Sequence, residues 1–174
     1  MARDPTDKSL SELAWKHIAA KEYGAAETTI RQRIAIADPE NSRLRWELFG
    51  LLASTLNSLA RHAEATAMLR ESLDCARKVG PTYSGIQTSR YMLANQQLVH
   101  GDPAEALAEA IPIPDGQGHV ECLLHSVVAQ ALWKLNRGDE SRQAAQRAIA
   151  ASPTDERRSA LAIDLEHILE TEAL

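Results

Sequence analysis

A single spacing recurs four times along the 174 residues of this chain. A Leu-Ala or Val-Ala pair is followed, twelve residues after its Ala, by another small residue. The pairs are Leu13-Ala14, Leu52-Ala53, Leu93-Ala94 and Val128-Ala129. The answering residues are Ala26, Ala65, Ala106 and Ser141. Turn-forming residues lie between each pair and its answer: Lys21-Glu22-Tyr23-Gly24, Ala60-Arg61-His62, Gly101-Asp102-Pro103 and Asn136-Arg137-Gly138-Asp139. The pattern predicts helix, turn, helix, with small residues where two helices approach closely. Internal repetition of this kind sets the architecture before any local propensity does.

Boundary signals divide the chain accordingly. Asp4-Pro5, or Ser9 with Glu12 three residues on, can open the first helix. Asp38-Pro39-Glu40-Asn41 ends the second, and Asn41-Ser42 starts the third. The fourth is expected from His62 to Val79, stopped by Gly80-Pro81, and the fifth from about Thr82 to His100. Gly101-Asp102-Pro103 closes that helix and caps the next. The sixth is short, because Pro112 and Pro114 disfavour the helical region for Ile111 and Ile113. Two more helices cover about 119–136 and 139–151. A last one, begun at Ser152-Pro153-Thr154-Asp155, runs to about Glu172 and covers the apolar face that a stacked array leaves at its end.

Composition agrees with helices in close contact. The hydrophobic fraction is 44% but aromatics are only 4%, which suits Ala-rich helix packing and suits a large β core poorly. Net charge is −5, against nonspecific nucleic-acid binding, which needs a cationic surface to displace counterions. The charge is uneven, +1 over residues 1–87 and −6 over residues 88–174. Cys75 and Cys122 form no CxxC motif or disulfide framework. No apolar run approaches the ~20 residues of a membrane span, and Met1–Pro5 leads into no apolar leader. The expectation is a soluble protein in the reducing cytoplasm, with no membrane contact.

The repeated residues resemble tetratricopeptide repeats. The second repeat offers Phe49, Leu52-Ala53, Leu56, Ala60, His62, Ala65, Leu69 and Leu73. The fourth offers Val128-Ala129, Leu132, Asn136, Gly138, Ser141, Ala145, Ala148, Ile149 and Pro153. The first contributes Leu10, Leu13-Ala14, Tyr23, Ala26, Ile30 and Ile34, and the third Leu93-Ala94, Gly101, Ala106 and Ala110. Intervals of 39, 41 and 35 residues between the pairs exceed the family's ~34 and look like the longer-helix branches. Arg90 and His125 replace the first large apolar residue in the last two repeats. The resemblance implies an all-α, right-handed helical-hairpin solenoid in one domain. Its repeats would span about 7–40, 42–80, 82–114 and 118–152, with a capping helix over 154–172.

In such arrays the first helix of each hairpin lines a concave face. The resemblance places Trp15, Glu47, Ser54, Asn57, Tyr91, Asn95, Gln130 and Trp133 there. Amides offer both donors and an acceptor to the backbone of an extended peptide. Tyr and Trp add flat apolar area with a polar tip. The resemblance thus implies an adaptor or scaffold that holds a protein segment or peptide. One alternative is a small acidic secretion-type chaperone, holding an apolar partner segment and dimerising through its N-terminal helices. Another is a peptide-responsive regulatory sensor. Lys8, Arg90 and Lys134 do not match the spacing of the family's carboxylate clamp.

No enzyme, cofactor or metal is expected. The run His119-x-x-Cys122-x-x-His125 spreads its side chains too widely on a helix to close on one ion. Gly116-Gln117-Gly118 lacks the Lys and strand of a phosphate loop. Asp139-Glu140 and Asp155-Glu156 stand at helix starts, where the helix dipole favours them. The loop from Pro112 to Gly118 interrupts the third repeat and is a place where a ligand could be touched.

Overall fold

The computed structural model describes residues 5–114, 116 and 118–170, with side chains from Ser9 onward. Among the described residues all regular structure is α-helical. The helices are α1 (Pro5–Ala19), α2 (Tyr23–Ile36), α3 (Ser42–Ser58), α4 (His62–Val79), α5 (Gly85–His100), α6 (Pro103–Ala110), α7 (His119–Lys134), α8 (Gly138–Ala150), α9 (Asp155–Asp164) and α10 (Glu166–Leu169). None of them is long and apolar enough to cross a membrane. Helices pack against their neighbours in the sequence, α1 with α2, α2 with α3, α3 with α4, α6 with α7 and α7 with α8. The chain divides into two compact units, Met1–Ser89 and Arg90–Leu174, with the division inside α5.

All eight small residues of the repeated spacing are buried. Ala14 is 2% exposed, and Ala26, Ala53, Ala65, Ala94, Ala106, Ala129 and Ser141 are 0% exposed. Each answering residue sits one turn into its helix and donates its backbone N–H to the residue that opens it. These bonds are Ala26 to Glu22 at 3.0 Å, Ala65 to Arg61 at 3.0 Å, Ala106 to Asp102 at 2.9 Å and Ser141 to Arg137 at 2.9 Å.

Three of the four turns share one backbone geometry. Lys21, Ala60 and Asn136 have φ of 60°, 58° and 58°, the left-handed conformation that usually belongs to glycine. Their N–H groups reach the carbonyls of Ile18, Asn57 and Trp133, each at 3.0 Å. The following N–H groups of Glu22, Arg61 and Arg137 reach back to His17, Leu56 and Leu132 at 2.8, 2.9 and 2.9 Å. These paired bonds satisfy the carbonyls that a helix end leaves open. The third turn differs: Gly101 bonds to Gln97 O at 3.0 Å, and the Asp102 carboxylate accepts from Ala104 N at 2.8 Å, with Pro103 in the first turn.

Other caps fall where the residue types place them. Asn41 Oδ1 accepts from Leu44 N at 3.1 Å and Thr154 Oγ1 from Arg157 N at 3.2 Å. Gly80, with φ of 148°, ends α4. Helix α1 begins at Pro5, so Ser9 lies inside it rather than at its start; Asp4 lies outside the described residues.

The first unit is built on Ile30, Phe49, Leu52, Leu56, Leu69 and Leu73, all buried. Each such side chain contributes about 1.5–3 kcal/mol of burial. Trp46 adds a polar anchor: its indole N–H donates to Ser89 Oγ at 2.7 Å, and its carbonyl accepts from Ser72 Oγ at 3.1 Å. Tyr83 meets the Trp46 ring edge-on at 5.3 Å. That contact occupies the connection before α5, which begins at Gly85, three residues later than expected.

The second unit has one continuous core, which includes Ala94, Leu98, Leu124, Leu132, Leu161 and Ile168. The expected single terminal helix is broken. Leu165, at φ −105° and ψ 6°, separates α9 from α10. α9 lies on α8, whereas α10 reaches both α7 and α8. The break re-aims the last turn while Leu161, Leu165 and Ile168 all stay buried. The expected end of that helix, residues 171 and 172, lies outside the described residues.

Candidate functional site

One position is shared by all four repeats and meets solvent in each: the residue just after the small Ala of the pair. It is Trp15, Ser54, Asn95 and Gln130. A side chain there cannot point where its buried neighbour points, because successive helical residues diverge by about 100°. Trp15 is 59% exposed, Ser54 is exposed, and Asn95 and Gln130 are half-buried. The Gln130 amide donates to Ser126 Oγ at 3.3 Å.

The other four expected contact residues have more intramolecular work. Glu47 is exposed, with its carboxylate 3.8 Å from Arg43. Asn57 Oδ1 lies 3.1 Å from His62 Nδ1, tying the end of α3 to the start of α4. Tyr91 and Trp133 are half-buried against the core of the second unit. Burial pushes the Tyr91 phenol above its usual range, partly offset by the positive charge of Arg157. Trp133 meets the His167 ring edge-on at 5.8 Å, so α10 covers part of the indole. Spacing alone pairs these residues on their helices, Ser54 with Asn57, Tyr91 with Asn95 and Gln130 with Trp133. The partners of Asn57 and Trp133, His62 and His167, lie on other elements, which periodicity does not reveal.

The cations considered for a carboxylate clamp are used inside the second unit. Arg90 Nε donates to Glu109 O at 3.1 Å and its Nη1 to Pro112 O at 2.8 Å. One guanidinium therefore ties down the end of α6 and the loop after it. This explains a charged residue where the earlier repeats place Leu10 and Phe49. Lys134 Nζ donates to Leu98 O at 2.6 Å, closing the last turn of α5. The Lys8 side chain is outside the described residues.

His119, Cys122 and His125 go three separate ways. The His119 Nε2 is 3.2 Å from the Arg157 guanidinium. Cys122 is buried, its Sγ bonds to His119 O at 3.0 Å, and burial pushes its thiol up. His125 faces an open cleft of about 700 Å³. Among the described residues, no group of three or more His, Cys, Asp and Glu is placed to hold a metal ion.

That cleft is built entirely from residues of the second unit. It is lined by Ile111, Pro112 and Ile113 after α6 and by Glu121, His125 and Val128 of α7. Ala144 and Arg147 of α8 complete the lining, with Ala150 and Ala151. Its origin is the short α6. This helix has 8 residues, against 18 in α4, the second helix of the preceding repeat. The chain leaves α6 at Ile111, which is extended at φ −102° and ψ 150°. An apolar wall with a few charged groups is the usual make-up of a recognition site.

No family model matches the chain, and no curated protein matches it.

Proposed function

We propose that this chain is a tetratricopeptide-like helical-repeat module that binds an extended segment of a partner protein. The observation that supports this reading is the fourfold recurrence of one buried small-residue contact, beside which a residue open to solvent recurs in every repeat. Within each unit, packed helical hairpins present side chains from a rigid scaffold, so little ordering entropy is lost on binding. Trp15 supplies flat apolar area, and Asn95 and Gln130 supply amides that can donate to and accept from a peptide backbone. The role is adaptor or scaffold, and it is met by binding alone, without catalysis.

The test is capture from native lysate on the immobilised full chain, with wild type beside a Trp15→Ala/Asn95→Ala variant of unchanged melting temperature. A partner kept by wild type and released by the variant supports the reading. Equal retention by both moves the contact away from these positions.

One observation favours the secretion-chaperone reading as an alternative. Leu13 and Trp15 are 41% and 59% exposed on α1, as expected if two copies meet through their N-terminal helices. Sedimentation separates the two. A dimer that dissociates on Leu13→Ser/Trp15→Ala substitution favours the chaperone; a monomer favours the adaptor.

A further inference from the structure

We infer that the cleft left by the short α6 is a recognition pocket for an acidic-apolar segment of the partner protein, with a carboxylate held by Arg147 and an apolar side chain seated against Ile111 and Ile113. This rests on the binding-module reading above and names one of its subsites.

The argument begins with the arginines. Arg31, Arg43, Arg61, Arg77, Arg137, Arg142 and Arg158 are all in ion pairs. Arg45 lies over the Phe49 ring at 5.2 Å, Arg90 holds two carbonyls, and Arg157 meets His119. Arg33 and Arg70 also have interactions. Among the described residues, Arg147 is the one arginine whose side chain has no partner. It is exposed, and it lines an open cleft of about 700 Å³. The other polar groups lining the cleft, Glu121 and His125, have partners of their own. The group left to meet a ligand is therefore a cation, and a guanidinium is the side chain best shaped to take a carboxylate in two parallel bonds.

The apolar half follows from the helix that stops early. A second helix of full length would carry its own apolar face onto α7 and α8. Here Pro112 ends it, and a cleft of about 700 Å³ remains beside α7 and α8. Ile111 is 49% exposed on the cleft wall, although Arg90 fixes the backbone beside it. The pocket is thus held open by hydrogen bonds, and its walls are in place before a ligand arrives. A segment with one apolar and one acidic side chain matches both halves, and the volume suits a few side chains rather than a whole domain.

The probe is a library of random twelve-residue peptides selected on the immobilised full chain, followed by titration of the enriched peptides. The expected result is enrichment of an aliphatic residue close to Asp or Glu. Affinity should fall at least tenfold on Arg147→Ala and on Ile113→Ser, with melting temperatures unchanged. Arg147→Glu should reverse the preference, so that the same peptide with Lys in place of its acid binds better than the original. Enriched peptides that ignore all three substitutions would overturn this pocket while leaving the binding-module reading standing. Failure to enrich any peptide would overturn both. Self-association of the free chain that is abolished by Arg147→Glu would make a second copy the occupant and overturn the assignment to a partner segment.

Discussion

Ser141 Oγ donates a 2.7 Å hydrogen bond to the carbonyl oxygen of Ala129, twelve residues earlier. The pair and its answer in the fourth repeat are therefore in direct contact across α7 and α8. Where the other repeats answer with Ala, this one places a hydroxyl without enlarging the contact much, and Ser141 is 0% exposed. Ser141→Ala should cost about 1 kcal/mol, the usual net value of one buried hydrogen bond. Ser141→Val should cost about 1–3 kcal/mol, because the added methyls force the two helices apart. Urea unfolding at constant m-value decides it; a Val variant as stable as the Ala variant would contradict a tight contact.

Ala60 occupies a left-handed position, φ 58°, with no side chain suited to it. Glycine removes a steric penalty of roughly 1–2 kcal/mol and returns roughly 0.4–1 kcal/mol through the freer unfolded chain. Ala60→Gly should therefore stabilise, by about 0.5–1 kcal/mol, which is about 1–3 °C in melting temperature for a chain of this size. Asn136→Gly should gain less, since Asn tolerates this conformation better. Thermal melts of the two variants side by side test the order.

Arg90 carries two carbonyls of the α6 end and the following loop. Arg90→Met keeps the apolar stem and removes both bonds, at an expected cost of about 2–3 kcal/mol. Amide exchange of Ile111 and Ile113 should quicken beyond what the global loss of stability accounts for. Arg90→Lys should rescue only in part, because an ammonium lacks the planar fork that reaches both oxygens. Unchanged exchange at Ile113 would remove Arg90 as the anchor of the cleft wall.

The turn between α3 and α4 contains a small ion network. Arg61 bonds Glu64 through Nε at 2.6 Å and Glu27 through Nη1 at 2.6 Å; Arg31 bonds Glu27 at 2.8 Å. The hydrogen bond from Arg61 holds the Glu64 carboxyl below its usual range. A depressed folded value means the stabilisation is present above the unfolded pKa, ~4.3, and is lost as pH falls through the lower folded value. Wild type should thus exceed Glu64→Gln in stability at neutral pH, and the two should converge in acid. Denaturant titrations at a series of pH values between 7 and 3 test the sign; a gap that widens in acid would refute it.

Much of the helical order is readable in the residues. The small-residue spacing marks eight positions, and all eight are buried, because close helix approach demands a small side chain whatever its neighbours are. Asn41, Asp102 and Thr154 cap helices because their short acceptors reach the open N–H groups just ahead. These are local effects, set within three or four residues. The parts that could not be read are long-range. Arg90 looks out of place until Glu109 O and Pro112 O, 19 and 22 residues away, are seen to need it. Trp133 reads as an open aromatic until His167 arrives from α10. The break at Leu165 leaves no trace in periodicity, since Leu161, Leu165 and Ile168 keep helical spacing across it. Lys21 and Ala60 carry a backbone conformation that their identities do not announce.

The eight buried small positions have a consequence for how such a chain can change over time. Side chains at these points cannot grow, whereas the three left-handed turns rest on backbone bonds, made here by Lys, Ala and Asn alike. Relatives that keep this architecture should therefore be nearly blank in alignment except for couples of small residues twelve apart, with helix lengths between couples free to drift. A search by overall identity is poorly matched to a lineage of that kind; a search for the rhythm of its smallest residues is better suited.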